Sequence, residues 1–257
     1  MSFLTVSVTD KGLVKEKNED SIYTTVVEKD NKKVSFSIVC DGMGGLAEGE
    51  YASAKVLNAF VEWFEIQKSL LFEEKTSFDE IKSQWANIVK MQNSYLIHYG
   101  NNKGIRLGTT VTALMIIDNT YYAVHVGDSR IYEISDSVHQ ITTDHTLVAR
   151  DLEMGNITKE QARKDPRKNI LLQCVGANED VYPEFITGDA KGDVVYLLCS
   201  DGFYNLITED EIYSNLKSKE LHNEEIMKSR AKMLINLNKE RMEKDNISAI
   251  LVKIFDI

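Results

Sequence analysis

The chain has 257 residues, with 40 acidic and 30 basic side chains and a formal charge of −10. That length suits one large domain or two small ones and can bury a core without cross-links. The acidic balance excludes a basic nucleic-acid footprint for the whole chain, and no run of about 18 apolar residues is present to cross a membrane. Met1 to Asp10 lacks the basic start and apolar middle of a signal peptide. Cys40, Cys174 and Cys199 stand singly, without C-x-x-C spacing. They fit a reducing compartment and argue against a thiolate zinc site, so a cytoplasmic protein is expected.

Strands come first. Phe3–Val8 alternates, Gly12 breaks it, and Ser21–Val27 resumes a β-rich run. Asp30-Asn31 reads as a hairpin tip before Val34–Cys40, in which Val34, Phe36, Ile38 and Cys40 share a face. From about Glu48 the period lengthens, and Ala52, Val56, Phe60 and Phe64 form a helical stripe. A second helix starts at Ser77, with Glu80 completing a capping box. Its predicted stripe is Ile81, Trp85, Ile88, Gln92 and Tyr95, with Val89 and Leu96 beside it. Strands return at Thr110–Ile117 and Tyr121–Tyr132 around a turn at Asp118-Asn119-Thr120. Residues 146–185 turn polar and irregular, with a short helix capped by Thr158 and Gln161, and read as an excursion rather than a second domain. Val194–Cys199 is a continuous apolar strand, Thr208 with Glu211 caps a short helix, and Glu224–Glu243 is a longer one. An alternating strand over Asn246–Ile254 closes the chain. Elements in blocks rather than strict βαβ order predict an α+β layered fold with antiparallel sheets.

Acids recur at the strand ends. Asp41-Gly42-Met43-Gly44-Gly45 follows one strand, Gly127-Asp128-Ser129 another, and Ser200-Asp201-Gly202 a third, while Asp245-Asn246 precedes the last. In an antiparallel sheet the end of one strand neighbours the start of the next, so these acids can gather on one rim. Gathered carboxylates without basic partners repel one another unless a cation neutralises them, and oxygen ligands select hard ions such as Mg²⁺ or Mn²⁺. Each Asp-Gly pair taken alone is an ordinary turn signal; the recurrence beside apolar strands is what points to metal.

Taken in order, Asn18-Glu19-Asp20, Asp41–Gly45, Gly108-Thr109-Thr110, Gly127–Arg130, Asp144-His145-Thr146, Ser200-Asp201-Gly202 and Asp245-Asn246-Ile247-Ser248 resemble the motifs of the metal-dependent protein phosphatases of type 2C, in their bacterial form. The resemblance implies a β-sandwich of two antiparallel sheets flanked by helix pairs, as a single catalytic domain over 1–257. A bimetal centre of Mn²⁺ or Mg²⁺ would sit at one end of the sandwich. By the same resemblance Asp41 bridges two ions, the Gly42 carbonyl serves one, and Asp201 and Asp245 complete the ligands of the other. Glu19 and Asp20 hold metal-bound waters, and Asp128 with Asp201 forms a weaker third site. A mobile flap at about 146–190 docks substrate proteins.

The chain departs from the family pattern at three places. Lys15 stands where the family usually has the arginine that grips the substrate phosphate, and lysine keeps the charge but loses the bidentate fork. Met43 stands where eukaryotic members have a histidine acting as general acid, which leaves the proton donor open, a metal-bound water being available. In the flap, Asp165-Pro166-Arg167 replaces the usual His-Pro-Arg and the following Leu171–Gly176 stretch is also atypical, which leaves flap-mediated substrate choice open. His125 reads as packed or hydrogen-bonded rather than ligating, and Arg130 as a brace for its loop.

The expected activity is hydrolysis of phosphoserine and phosphothreonine in proteins by direct attack of a metal-bridging hydroxide. Lys15, Asp41, Asp201 and Asp245 are its catalytic residues. The expected partners are phosphorylated proteins and a bacterial serine/threonine kinase that the enzyme opposes, and a monomer is expected. A weak or inactive sensor on the same fold is the alternative, and a two-metal nuclease a more distant one, disfavoured by the charge of −10.

Overall fold

The computed structural model describes residues 1–44, 48–73 and 77–255; Gly45 of the second acidic motif lies outside them. Two antiparallel sheets pack face to face, with helices on both outer surfaces. One sheet has the order β1 (Ser2–Asp10), β11 (Ile247–Phe255), β10 (Val194–Cys199), β7 (Arg130–Ile134), β8 (Val138–Gln140). The other runs β2 (Asp20–Lys29), β3 (Lys32–Gly44), β5 (Val111–Ile117), β6 (Thr120–Val126), β9 (Glu184–Asp189), with β4 (Leu107–Thr109) on the end of β3.

The alternation along β3 explains the layering. Phe36, Ile38 and Cys40 face α1 (Gly49–Glu73) and α2 (Phe78–Lys103), whereas Val39 faces the opposite sheet beside Leu114, Leu198 and Ile250. Phe36 stacks on Phe64 with ring centroids 4.9 Å apart, and Trp63 meets Trp85 edge-on at 5.3 Å. On the far side, α6 (Glu209–Leu216) and α7 (Glu224–Glu240) cover β1, β10 and β11. Asp30 and Asn31 at the first hairpin, and Asp118 and Asn119 at another, adopt the left-handed backbone that their short polar side chains tolerate.

Several sequence expectations change. The buried stripe of α2 is Ile81, Trp85, Val89, Asn93, Leu96 and Gly100, while Tyr95 is exposed. The helix turns this face inward because Asn93 can spend its amide on backbone: it donates to the carbonyls of Asn178 and Glu179, and its Oδ1 accepts from Gly176 N–H. The run Tyr121–Tyr132 is two strands, because Gly127 at φ +115° carries the chain from one sheet to the other between β6 and β7. The closing strand does not alternate between core and solvent. Its two faces enter two buried layers, and Lys253 is accommodated by donating to the carbonyls of Ser218 and Leu221. The short strands β8 and β9 and the helix α3 (Leu147–Glu153) were not predicted. They are short, mostly half-exposed and without a clear apolar period.

A carboxylate rim at one end of the sandwich

Register alone brings the acids together. In one sheet Asp10 at the end of β1 pairs Ile247 at the start of β11, and Cys199 at the end of β10 lies between Ala249 and Arg130. In the other, Asp20 at the start of β2 pairs Asp41 near the end of β3, and Val111 pairs Val126. These strand ends share one end of the sandwich, so Asp41, Asp128, Asp201 and Asp245 meet there, as expected from their positions, and Asp20, implied only by the family resemblance, joins them. A cavity of about 860 Å³ holds Asp41, Asp128, Asp201 and Asp245 together with Lys15 and Glu19.

Each motif supplies support as well as charge. The Asp41 amide donates to Thr110 Oγ1, and Thr109 Oγ1 donates to the Asp41 carbonyl. Ser200 Oγ donates to Asp20 Oδ2 at 2.8 Å. Asn246 is present in the last motif without an expected role of its own: its Oδ1 accepts from Glu19 N–H, and its amide donates to the carbonyls of Lys11 and Lys17. It thereby fixes the loop that carries Lys15 and Glu19. A side chain at Gly12, at φ +78°, would meet the Asp245 carbonyl at 2.3 Å, so the loop closes onto the last strand only with glycine there.

Burial pushes the Asp41 carboxyl well above the usual range, and Asp20, Asp201, Asp128 and Asp245 add to this. Asp201 is raised in the same way, by burial and then by Asp128 and Asp245. Burial, with Asp144 adding, pushes Asp128 up to about 7, and burial raises Asp20 to about 6 against its serine hydrogen bonds. Oδ1 of Asp20 and Oδ1 of Asp201 are buried without a hydrogen-bond partner. Orphaned carboxylate oxygens in a cluster that cannot ionise together fit a multivalent cation, and an all-oxygen donor set fits a hard one.

Lys15 is the cation at the rim: Nζ lies 2.8 Å from Asp245 Oδ1 and 3.7 Å from Glu19 Oε2. Desolvation opposes its charge, but the bond to Asp245 and the field of Glu19 and Asp41 hold it above its ordinary value. Met43 and the Gly42 backbone line the same cavity. Arg130 contacts Asp144 through Nε and Nη2 at 2.9 and 2.6 Å and lies 3.7 Å over the Tyr204 ring, whose hydroxyl donates to the Asp128 carbonyl. It braces the Asp128 turn and does not enter the cavity.

Among the described residues, the group that brings three candidate ligand atoms within 4.8 Å of one another lies outside the rim: His125, His145 and Glu184. Its members are held by neighbours, although His125 Nε2 is buried without a hydrogen-bond partner. His125 Nδ1 bonds Thr112, His145 Nδ1 accepts from Gly127 N–H, and Glu184 accepts from the amide and hydroxyl of Thr143. Burial, with His145 beside it, lowers His125 to about 3, so it packs as a neutral ring. In the segment after α4 (Lys159–Lys164), Asp165 is bound by Arg167 at 2.8 Å, which closes that turn on itself.

The model of the protein phosphatase 2C family matches residues 14–251, nearly the whole span of these features. The chain belongs to that family. Serine/threonine phosphatase stp of Listeria monocytogenes is 32% identical over 95% of this chain and 93% of its own. The crystal structure of the serine/threonine phosphatase Stp1 from Staphylococcus aureus superposes with a TM-score of 0.85 at 27% identity, covering 100% of this chain and 96% of the other. The catalytic domain of the phosphatase PstP in complex with two manganese ions matches at a TM-score of 0.78 and 26% identity, covering 99% of both chains. As a type 2C phosphatase, the chain is a metal-dependent serine/threonine protein phosphatase, and membership sets aside the nuclease reading.

Proposed function

We propose that the enzyme works with two Mn²⁺ or Mg²⁺ ions and a weaker third, held by the carboxylate rim. Asp41 would bridge two ions, the Gly42 carbonyl would serve one, and Asp201 and Asp245 would hold the other. Glu19 and Asp20 would hold coordinated waters, and Asp128 with Asp201 would form the third site. When bound, such ions lower the pKa of water to give a nucleophile at neutral pH and neutralise phosphate oxygens. The observation that carries this reading is the convergence of Asp20, Asp41, Asp128 and Asp201, all raised by burial, with two orphaned oxygens among them.

The rest of the chemistry falls to the chain's own groups. Lys15, held by Asp245, would leave that carboxylate free to hold a cation and would present its ammonium to the substrate phosphate. The Asn246 bonds keep Lys15 and Glu19 at the cavity mouth, and Ser200 orients Asp20. Burial raises the thiols of Cys40 and Cys199, and pushes that of Cys174 at the cavity wall up to about 11, so none is a competing nucleophile near neutral pH. Residues 146–190 form the flap over which a phosphorylated protein docks. No helix of the described residues is long and apolar enough to cross a membrane. The reading extends to action in the cytoplasm of a bacterium, as a monomer, opposing a serine/threonine kinase, the relatives being bacterial serine/threonine phosphatases.

The test is hydrolysis of a phosphothreonine peptide and of p-nitrophenyl phosphate with Mn²⁺, with Mg²⁺ and with EDTA. Turnover that appears with Mn²⁺ and vanishes with EDTA supports the reading. Equal turnover in EDTA overturns it.

A further inference from the structure

The cavity that holds the carboxylates does not end at them. It is also lined by Ile97 and Asn101 of α2, by Arg106 just before β4, and by Asn169, Leu171 and Asn178. Part of this lining is fixed rather than loose. Asn93 ties Gly176 and Asn178 to α2, and Thr109 exchanges both backbone bonds with Val175. From the rim the cavity extends along β4 toward Arg106.

Strand register measures that direction. Thr109 of β4 lies opposite Gly42 at the rim, and Met43 lies opposite Gly108. Arg106 precedes Thr109 by three residues, which at roughly 3.3 Å per residue puts it about 10 Å along the cavity. An extended peptide advances by a similar step, so with its phosphate at the rim a side chain two or three residues away reaches Arg106.

The charges along the cavity are uneven. The acids are all at the rim, where cations neutralise them, and the other lining residues named are neutral. Lys15 is held by Asp245 and Glu19, whereas Arg106, exposed in the cavity, has no ion pair and no side-chain hydrogen bond among the described residues. On a chain of charge −10 this is a local positive site within reach of the reacting phosphate. We propose that Arg106 is a subsite for an acidic side chain two or three residues from the phosphorylated residue of the substrate, its fork matching a carboxylate. This rests on the phosphatase reading above and names the substrate class that reading leaves open.

The test uses peptides with one phosphothreonine and alanine elsewhere, carrying Asp or Lys singly at each position from three before to three after. The quantity read is the Asp-to-Lys ratio of kcat/KM within each enzyme, so an overall loss of activity in a variant cancels. The full-length enzyme with Mn²⁺ is expected to favour Asp about five-fold at one position two or three residues away, expressed in KM. Arg106→Glu is expected to reverse that ratio and Arg106→Ala to bring it near unity, with thermal melts confirming that both fold. The same profile in wild type and Arg106→Glu overturns the subsite, as does a flat profile in a wild type that hydrolyses the peptides. A wild type that hydrolyses neither the peptides nor p-nitrophenyl phosphate overturns the phosphatase reading itself, and the subsite with it.

Discussion

Asp20 and Asp41 stand directly opposite one another across β2 and β3, two carboxylates paired where a sheet would ordinarily match unlike charges. Burial raises both, and each raises the other or is raised by the same neighbours, so in the metal-free protein the rim retains protons that the unfolded chain has lost. The sign follows. Asp20 at about 6 and Asp128 at about 7 lie above the unfolded value of 3.8, so the folded state binds more protons between about pH 4 and pH 7, and stability falls as pH rises through that window. In EDTA the thermal midpoint is expected to be roughly 5 °C lower at pH 7.5 than at pH 5, the equivalent of a few kcal/mol. Mn²⁺ should raise it more at pH 7.5 than at pH 5, because the ion competes with protons. A midpoint in EDTA that climbs from pH 5 to pH 7.5 contradicts the arrangement.

Lys15 is bound to the carboxylate that a cation would claim, with Nζ 2.8 Å from Asp245 Oδ1. Removing it takes away a counter-charge from the rim and the proposed contact to the substrate phosphate, with opposite consequences for the two ligands. Lys15→Ala is expected to lower kcat/KM for a phosphothreonine peptide by about 10- to 100-fold, the worth of a charged hydrogen bond. It should leave Mn²⁺ affinity, read by titration calorimetry, no weaker than in wild type. Lys15→Arg should retain the activity and lower KM, because the fork binds phosphate at two points. Weaker Mn²⁺ binding in Lys15→Ala would show that the lysine supports the metals instead.

Local signals carried most of the fold into the sequence. The capping boxes at Ser77 and Glu80, Thr158 and Gln161, and Thr208 and Glu211 all form, because each closes within one helical turn. The rim was readable because strand ends in antiparallel sheets are neighbours whatever the length of chain between them. What escaped depends on distant partners. Asn93 looks like an interruption of an apolar stripe until the carbonyls of Asn178 and Glu179 are beside it. The break at Gly127 is hidden because apolar residues continue on both sides while the chain changes sheets. β9 pairs His125 with Glu184 on a sheet edge, where half-exposed residues leave little pattern.

The aspartates of the rim should separate by effect. Asp201 is buried with an orphaned Oδ1, and Asp245 borders the cavity beside Lys15. Asp201→Ala and Asp245→Ala are each expected to reduce kcat by at least about 100-fold, the loss typical when a charge-stabilising group leaves a reacting centre. Asp128 belongs to the proposed weaker site, so Asp128→Ala should mainly raise the Mn²⁺ concentration needed for half-maximal activity. Metal titrations of phosphopeptide hydrolysis distinguish the two behaviours. Full activity in Asp245→Ala at wild-type Mn²⁺ concentrations would remove it from the ligand set.

Arg130 offers a prediction about stability that reaches the site through geometry. Its guanidinium is enclosed between Asp144, at 2.6 Å, and the Tyr204 ring, at 3.7 Å, while the Tyr204 hydroxyl holds the Asp128 carbonyl at 2.9 Å. Arg130→Leu leaves Asp144 largely buried without its partner, and Gln140 alone still donates to that carboxylate. Such a loss costs about 3–5 kcal/mol, to be read from urea unfolding at constant slope. Replacing both members, Arg130→Leu with Asp144→Leu, removes the stranded charge and should recover at least about 1 kcal/mol of it. Because the same contacts set the Asp128 turn, the single variant should also need more Mn²⁺ while retaining activity at saturation. A double variant no more stable than Arg130→Leu would mean that stacking on Tyr204, rather than the ion pair, carries the contribution.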